Sequence, residues 1–316
     1  MQAPDFAAPR WLPGGHLQTI VPALWARRRL AGRVRFARER WDTPDGDFLD
    51  VDFAPGAGPL LVLFHGLEGS TASHYALSFA LEARRRGWGF AMPHFRGCSG
   101  ELNRAPRAYH SGDHAEIAWL LARLAARAGG PVYAAGVSLG GNALLRWAAE
   151  AGEGAAALVR AAAAICSPLD LTASGHAMGR GFNRHVYTRM FLATMKPKAL
   201  AKWTQHPGLF DRERVARART LYEFDDAFTA PLHGFAGAAD YWARASARPV
   251  LARIRIPALA LNARNDPFVP AHSLPRPAEV PPNVTLWQPR HGGHVGFPGH
   301  VQGMPRAVGD WLARHA

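Results

Sequence analysis

Residues 136–140 read Gly-Val-Ser-Leu-Gly, set between the apolar run Val132-Tyr-Ala-Ala135 and a long Ala- and Leu-rich helical stretch. A G-x-S-x-G pentapeptide alone is a weak signal in a chain with 32 glycines. Placed between a strand and a helix, it reads as a nucleophile elbow. The serine of such an elbow sits on a sharp turn, and the flanking glycines remove Cβ atoms that would clash there. The turn lifts the serine oxygen clear of the sheet, where a histidine can reach it. Ser138 is therefore the candidate nucleophile.

The surrounding sequence supplies a sheet to carry that turn. Leu60-Leu-Val-Leu-Phe64 is a continuous apolar run, as expected of a strand buried on both faces. Further strands are predicted at Gly87–Pro93, Val132–Val137, Ala161–Cys166, Ile256–Leu261 and Val284–Trp287. Two more, Val34–Trp41 and Phe48–Phe53, are joined across Thr43-Pro-Asp-Gly46, a turn signal. Helices are predicted at about Tyr75–Arg86, Asp113–Ala128, Leu139–Ala151 and His300–Arg314. Residues 1–30 read as irregular. This alternation predicts an α/β fold with a mostly parallel, doubly wound sheet and helices on both faces.

Residues from about 170 to 245 break the alternation. They are helical in character, heavy in Arg, Phe and Tyr, and lack a clear buried strand. Roughly 75 residues is long for one crossover, so an inserted, mainly helical cap is expected, with ordinary crossover helices as the alternative. Residues 1–316 then form a single domain with that insertion.

Composition narrows the class. The chain is 48% hydrophobic and 19% charged, which suits a globular enzyme. No apolar run approaches the roughly 20 residues that span a bilayer. The start, Met1-Gln-Ala-Pro-Asp-Phe6, has neither a basic nor an apolar leader region, so no secretory signal is expected. Cys98 and Cys166 do not make a disulfide framework, and a cytoplasmic location is the expectation.

The net charge of +13 invites a nucleic-acid reading. Against it, lysine occurs only at positions 196, 198 and 202, and abundant Arg with Ala is what GC-rich coding yields. The densest cluster is Arg27, Arg28, Arg29, Arg33, Arg35, Arg38 and Arg40, with no recognisable nucleic-acid module. It reads as a solvated basic face, the alternative being peripheral contact with an anionic membrane or an acidic partner.

A serine hydroxyl needs a general base, and the base needs an orienting carboxylate. On a sheet of this kind the partners follow in the order Ser, Asp or Glu, then His, each on a loop after a strand. Asp266, just past the predicted strand ending near Leu261, meets the first demand. His294, in Arg290-His-Gly-Gly-His-Val-Gly-Phe297, meets the second. His291 is a rival base. His294 is preferred because Gly292 and Gly293 let the chain bring it close. Asp225, Asp226 and Asp240 compete less well with Asp266, since all three fall in the cap stretch.

The oxyanion of a tetrahedral intermediate needs donors. The amide after the nucleophile, Leu139, is one, and the loop His65-Gly-Leu-Glu-Gly69 offers Leu67 as the second. His65 is read as a brace for that loop. Cys98, in Arg96-Gly-Cys-Ser-Gly100, has no implied base and reads as structural. His-Gly-Gly-His has no acidic or Cys cluster around it, so no metal is expected, and no organic cofactor.

Taken together these segments resemble the YheT-like family of α/β-hydrolases, which includes animal abhydrolase-domain proteins and fungal medium-chain alcohol acyltransferases. The resemblance runs nearly the whole length. It rests on Trp11-Leu-Pro-Gly-Gly-His-Leu-Gln-Thr-Ile20, His65-Gly-Leu-Glu-Gly-Ser70, Phe95-Arg-Gly-Cys-Ser-Gly-Glu101 and Gly136-Val-Ser-Leu-Gly-Gly-Asn142. Asn265-Asp-Pro267 and Gly292-Gly-His-Val-Gly-Phe297 complete it. It implies a Ser-His-Asp hydrolase of carboxylic esters and carries over to Ser138, Asp266 and His294. It also implies that Thr229 through Trp242 border the substrate site. The expected activity is that of a serine carboxylesterase on a small-molecule or lipid ester. Acyl transfer, a lipase or lysophospholipase activity, and a non-catalytic binding protein are the alternatives.

Overall fold

The computed structural model describes residue 4, residues 6–298 and residues 303–315. The chain opens with helix α1 (Gly14–Leu30), then runs through β1 (Ala37–Asp42), β2 (Phe48–Ala54) and β3 (Gly58–Phe64). Next come α2 (His74–Arg85), β4 (Trp88–Pro93), α3 (His114–Ala128), β5 (Val132–Val137), α4 (Leu139–Ala151) and β6 (Ala161–Ile165). After the segment between β6 and the next strand, β7 (Ala258–Leu261), β8 (Val284–Trp287) and a closing helix Gly303–Ala313 complete it. The predicted first residues of that last helix, from His300, lie outside the described residues.

The eight strands form one sheet in the order β1-β2-β4-β3-β5-β6-β7-β8. β2 is antiparallel to both neighbours, and β4, β3 and β5 through β8 are mutually parallel. The alternation of side chains along a strand divides the core in two. Val62, Phe64 and Ala134 face the layer of α3 and α4, against Ile117, Leu121 and Leu144. Leu61, Leu63 and Tyr133 face α2 and the closing helix, against Phe79, Val308 and Trp311. β6 is four alanines and an isoleucine, all buried, so a helix can approach it closely.

α1 corrects the irregular reading of residues 1–30. Gly14, Gly15 and an internal Pro22 give it poor local propensity, and Pro22 removes one helical donor. Tertiary contact holds it instead: Ala26 and Leu30 pack on Leu77 and Leu81 of α2. A Cβ on Gly15 would run into the Asn265 carbonyl, so only glycine permits this approach.

The basic cluster also divides. Arg38 and Arg40 face Asp52 and Asp50 directly across the β1–β2 ladder and pair with them at 2.7 and 2.9 Å. Arg27, Arg28 and Arg29 are exposed. The solvated basic face is therefore smaller than the sequence count implies.

Between β6 and β7 the chain includes the helices Leu171–Met178, Arg189–Gln205, Arg212–Arg217 and Ala238–Ala245, and no strand. Leu192, Met195, Val215, Phe224 and Phe228 give these helices a core of their own. No helix among the described residues is long and apolar enough to cross a membrane.

Candidate active site

β5 delivers Ser138 to the rim of the sheet with φ 52° and ψ −121°, a conformation that a non-glycine residue adopts only at a cost. The pentapeptide's glycines serve close packing. A Cβ on Gly140 would collide with the His65 carbonyl, and one on Gly136 would stand 2.5 Å from the Gly140 oxygen. A Cβ on Gly66 would lie 3.1 Å from that of Ser138, so the loop after β3 packs directly against the elbow. This is the strand-turn-helix context that the sequence called for.

Asp266 follows β7 and is buried; His294 follows β8. His294 Nδ1 lies 2.8 Å from Asp266 Oδ2, and its ring stacks on Phe268 with centroids 4.1 Å apart. Asp266 Oδ1 accepts from the amides of Phe268 and Val269 at 2.8 and 3.3 Å. The carboxylate is thus fixed by backbone donors on one oxygen and presents the other to the imidazole. His294 Nε2 makes no hydrogen bond among the described residues. His291, the rival base, is exposed, and it is His294 that pairs with Asp266.

Ser138, His294, Leu67 and Leu139 line one cavity of about 160 Å³. Leu139 is the first residue of α4, where an amide has no carbonyl one turn earlier. Around Leu67 the neighbouring amides are occupied: Gly66 donates to Tyr75 and Glu68 to Tyr109, both at 3.0 Å. No hydrogen bond engages the Leu67 amide among the described residues.

His65 is wholly buried. Its Nε2 accepts from the Phe95 amide at 2.9 Å, while Nδ1 lies 2.7 Å from the Gly66 carbonyl. One nitrogen must accept and the other donate, so the neutral ring is the form that fits, and burial pushes its pKa down to about 3. The unfolded chain would bind that proton below about pH 6.5, so stability falls as pH drops through that point. The loss is roughly 1.4 kcal/mol per pH unit, or about 2 kcal/mol between pH 6.5 and 5. Urea midpoints at the two pH values should show it, and His65→Gln should flatten the slope by that amount.

The Trp11–Ile20 segment is distinctive in sequence, but nothing local there indicates what it does. Gln18 Oε1 accepts from Asn265 Nδ2 at 2.8 Å and from the Gly292 amide at 3.0 Å. Thr19 Oγ1 accepts from the His294 amide at 2.8 Å. One turn of α1 therefore clamps the two loops that carry Asp266 and His294. Nothing local in the sequence marks a role for Cys166 either. Its sulfur accepts from the Val295 amide at 3.2 Å, and burial pushes the thiol well above its ordinary range. Cys166, Asp266 and His294 present ligand-type atoms within 4.8 Å of one another. Their geometry is that of a hydrogen-bonded set, since two ligands of a tetrahedral zinc ion lie about 3.3 Å apart, farther than the Asp266–His294 separation. Cys98 is buried, and burial pushes its thiol up to about 12, far from a thiolate nucleophile.

Comparison with known proteins agrees with this architecture. A family model for the alpha/beta hydrolase fold matches residues 59–301. The chain is 39% identical to the Escherichia coli (strain K12) protein named "Putative esterase YheT", over 98% of this chain and 94% of that one. It is 29% identical to the mouse protein named phospholipase ABHD3, over 84% of this chain and 67% of that one. Among solved structures, the Pyrococcus furiosus esterase Pf2001 superposes with a TM-score of 0.59 at 16% identity, covering 91% of this chain and 94% of that one. Mouse alpha/beta hydrolase domain-containing protein 10 superposes at 0.56 with 14% identity, over 89% and 100%. Those two likenesses bear on the fold alone. The chain belongs to the YheT-like family of α/β-hydrolases.

Proposed function

We propose that this protein is a serine carboxylesterase. One observation carries the reading: the 2.8 Å Asp266–His294 pair sits beside the cavity that Ser138 enters from its strained turn. Ser138 Oγ attacks the acyl carbon while His294 Nε2 takes its proton. The tetrahedral oxyanion is held by the amides of Leu67 and Leu139. As the C–O bond breaks, His294 returns the proton to the leaving alcohol. Water then attacks the acyl-enzyme with His294 as base, and the carboxylic acid and free Ser138 result. Asp266 keeps the imidazole in the tautomer whose Nε2 accepts. The helical segment of about 170–245 acts as a cap within a single domain, since its helices supply much of the cavity wall.

A lipase-type reading draws on the surface. Trp11, Leu24 and Trp25 are exposed at 70%, 62% and 47%, beside the exposed Arg27, Arg28 and Arg29. Apolar side chains with an arginine fringe suit the interface of an anionic bilayer. A relative bears the name phospholipase. A cytoplasmic location belongs to the same proposal, supported by two free cysteines.

One panel tests these readings together. Esters of increasing acyl length are offered to the native protein and to Ser138→Ala, with one arm containing ethanol and another anionic vesicles. Hydrolysis lost in Ser138→Ala supports the esterase. A new ethyl ester in the ethanol arm points to acyl transfer, and turnover raised by vesicles to a lipase. No turnover in any arm, with no fluorophosphonate label on Ser138, overturns the enzyme reading.

A further inference from the structure

The cavity beside Ser138 is walled largely by apolar side chains, Met178, Met195, Phe224 and Phe228 among them. Two polar side chains in that wall are incompletely matched, one in charge and one in hydrogen bonding. Asp225 accepts from Thr229 Oγ1 at 2.7 Å and from Trp242 Nε1 at 2.8 Å, both neutral donors. Among the described residues it is the one carboxylate away from the surface with no ion-pair partner. Asp47 and Glu116 have Arg96, Asp113 has Arg107, and Glu68 in the same cavity has Lys198 at 2.8 Å. Burial accordingly pushes the Asp225 carboxyl up to about 6. An uncompensated carboxylate in an apolar wall costs stability, and groups of this kind concentrate at functional sites.

Ser174 is the second. It lines the same cavity, is 5% exposed, and its Oγ has no hydrogen-bond partner. Trp242 packs beside both stretches of chain. Its ring covers Gly175, where a Cβ would run into it, while its Nε1 donates to Asp225.

We propose that Asp225 and Ser174 form a polar subsite that takes a hydroxyl or ammonium group on the substrate's otherwise apolar chain. The carboxylate accepts from the incoming O–H or N–H, and the Ser174 hydroxyl donates to a hydroxyl oxygen or accepts from an ammonium. A plain alkyl chain leaves the Ser174 hydroxyl unpaired and the Asp225 charge without a matching donor cation or extra donor. Sites built on hydrogen bonds reject analogues that lack them far more strongly than apolar pockets reject a methylene. The proposal rests on the esterase reading and names the class of ester that site prefers.

The test uses straight-chain nitrophenyl esters of graded length, each paired with its hydroxylated and its aminated counterpart. The native protein is expected to favour a substituted ester over its plain partner by about tenfold or more in kcat/KM at one chain length. That ratio is expected to fall by a similar factor in Asp225→Asn, most for the amine, and by less in Ser174→Ala. If Asp225 serves only to hold Thr229 and Trp242, plain and substituted esters lose activity together and the ratio stands, which overturns the subsite. Calorimetry of the paired free acids on Ser138→Ala gives a readout that needs no turnover. Tighter binding of the substituted acid with no ester hydrolysed by the native protein would overturn the esterase reading and leave the subsite standing. Equal binding of the two acids would overturn the subsite.

Discussion

Ser138→Ala is expected to cut kcat/KM for carboxylic esters by about a millionfold, with most of the change in kcat. Only the oxygen that forms the acyl-enzyme is lost. The cavity, the amides of Leu67 and Leu139 that line it and the Asp266–His294 pair all remain. Substrate should therefore still bind, and a residual rate of roughly a thousandfold over water should survive from binding and oxyanion contacts. Stability separates this result from misfolding. Alanine inherits the same φ of 52°, so its melting temperature should match the native protein. Ser138→Gly should lose the same activity yet melt higher, because glycine releases a strain of about 1 kcal/mol. Burst kinetics with the native protein, absent in both variants, complete the check. An alanine variant that keeps more than a tenth of native activity would place the nucleophile elsewhere.

The sheet was legible because most of its strands are buried on both faces and read as unbroken apolar runs. Leu60–Phe64 and Val132–Val137 needed no partner to be recognised. The hydrogen-bonded Asp266–His294 pair was legible for a related reason. Each sits on a loop just past such a run, so locating β7 and β8 nearly located Asp266 and His294. Short-range signals sufficed.

Long-range contacts were not legible. Gln18 meets Asn265 across 247 positions and Thr19 meets His294 across 275, and nothing local marks either as a clamp. α1 itself carries Gly14, Gly15 and Pro22, so its helicity depends on docking that local propensity does not encode. Arg38 and Arg40 counted toward a basic face until the β1–β2 register set them opposite Asp52 and Asp50. Asp225 and Asp226 are adjacent in sequence and indistinguishable there. Folding pairs Asp226 with Arg214 and turns Asp225 into the cavity wall.

Asp266→Asn should lower kcat by about ten-thousandfold while leaving KM and the fold little changed. The two oxygens of Asp266 have different work. Oδ1 is held by the Phe268 and Val269 amides, and these donors would fix the oxygen of an asparagine in the same place. Its NH₂ group would then face His294 Nδ1, which must become the acceptor. The ring's proton moves to Nε2, the nitrogen that has to accept from Ser138, and the base is lost without any displacement. The α1 clamp makes that outcome readable. Gln18 and Thr19 hold the Asp266 and His294 loops by contacts that do not involve the carboxylate, so the variant should keep both loops in place. A melting temperature near native together with a large kcat loss would indicate a wrong tautomer. Asp266→Ala leaves the imidazole unanchored and free to take either tautomer, and should lose no more activity than the asparagine variant. A loss smaller than tenfold in Asp266→Asn would remove Asp266 from the mechanism.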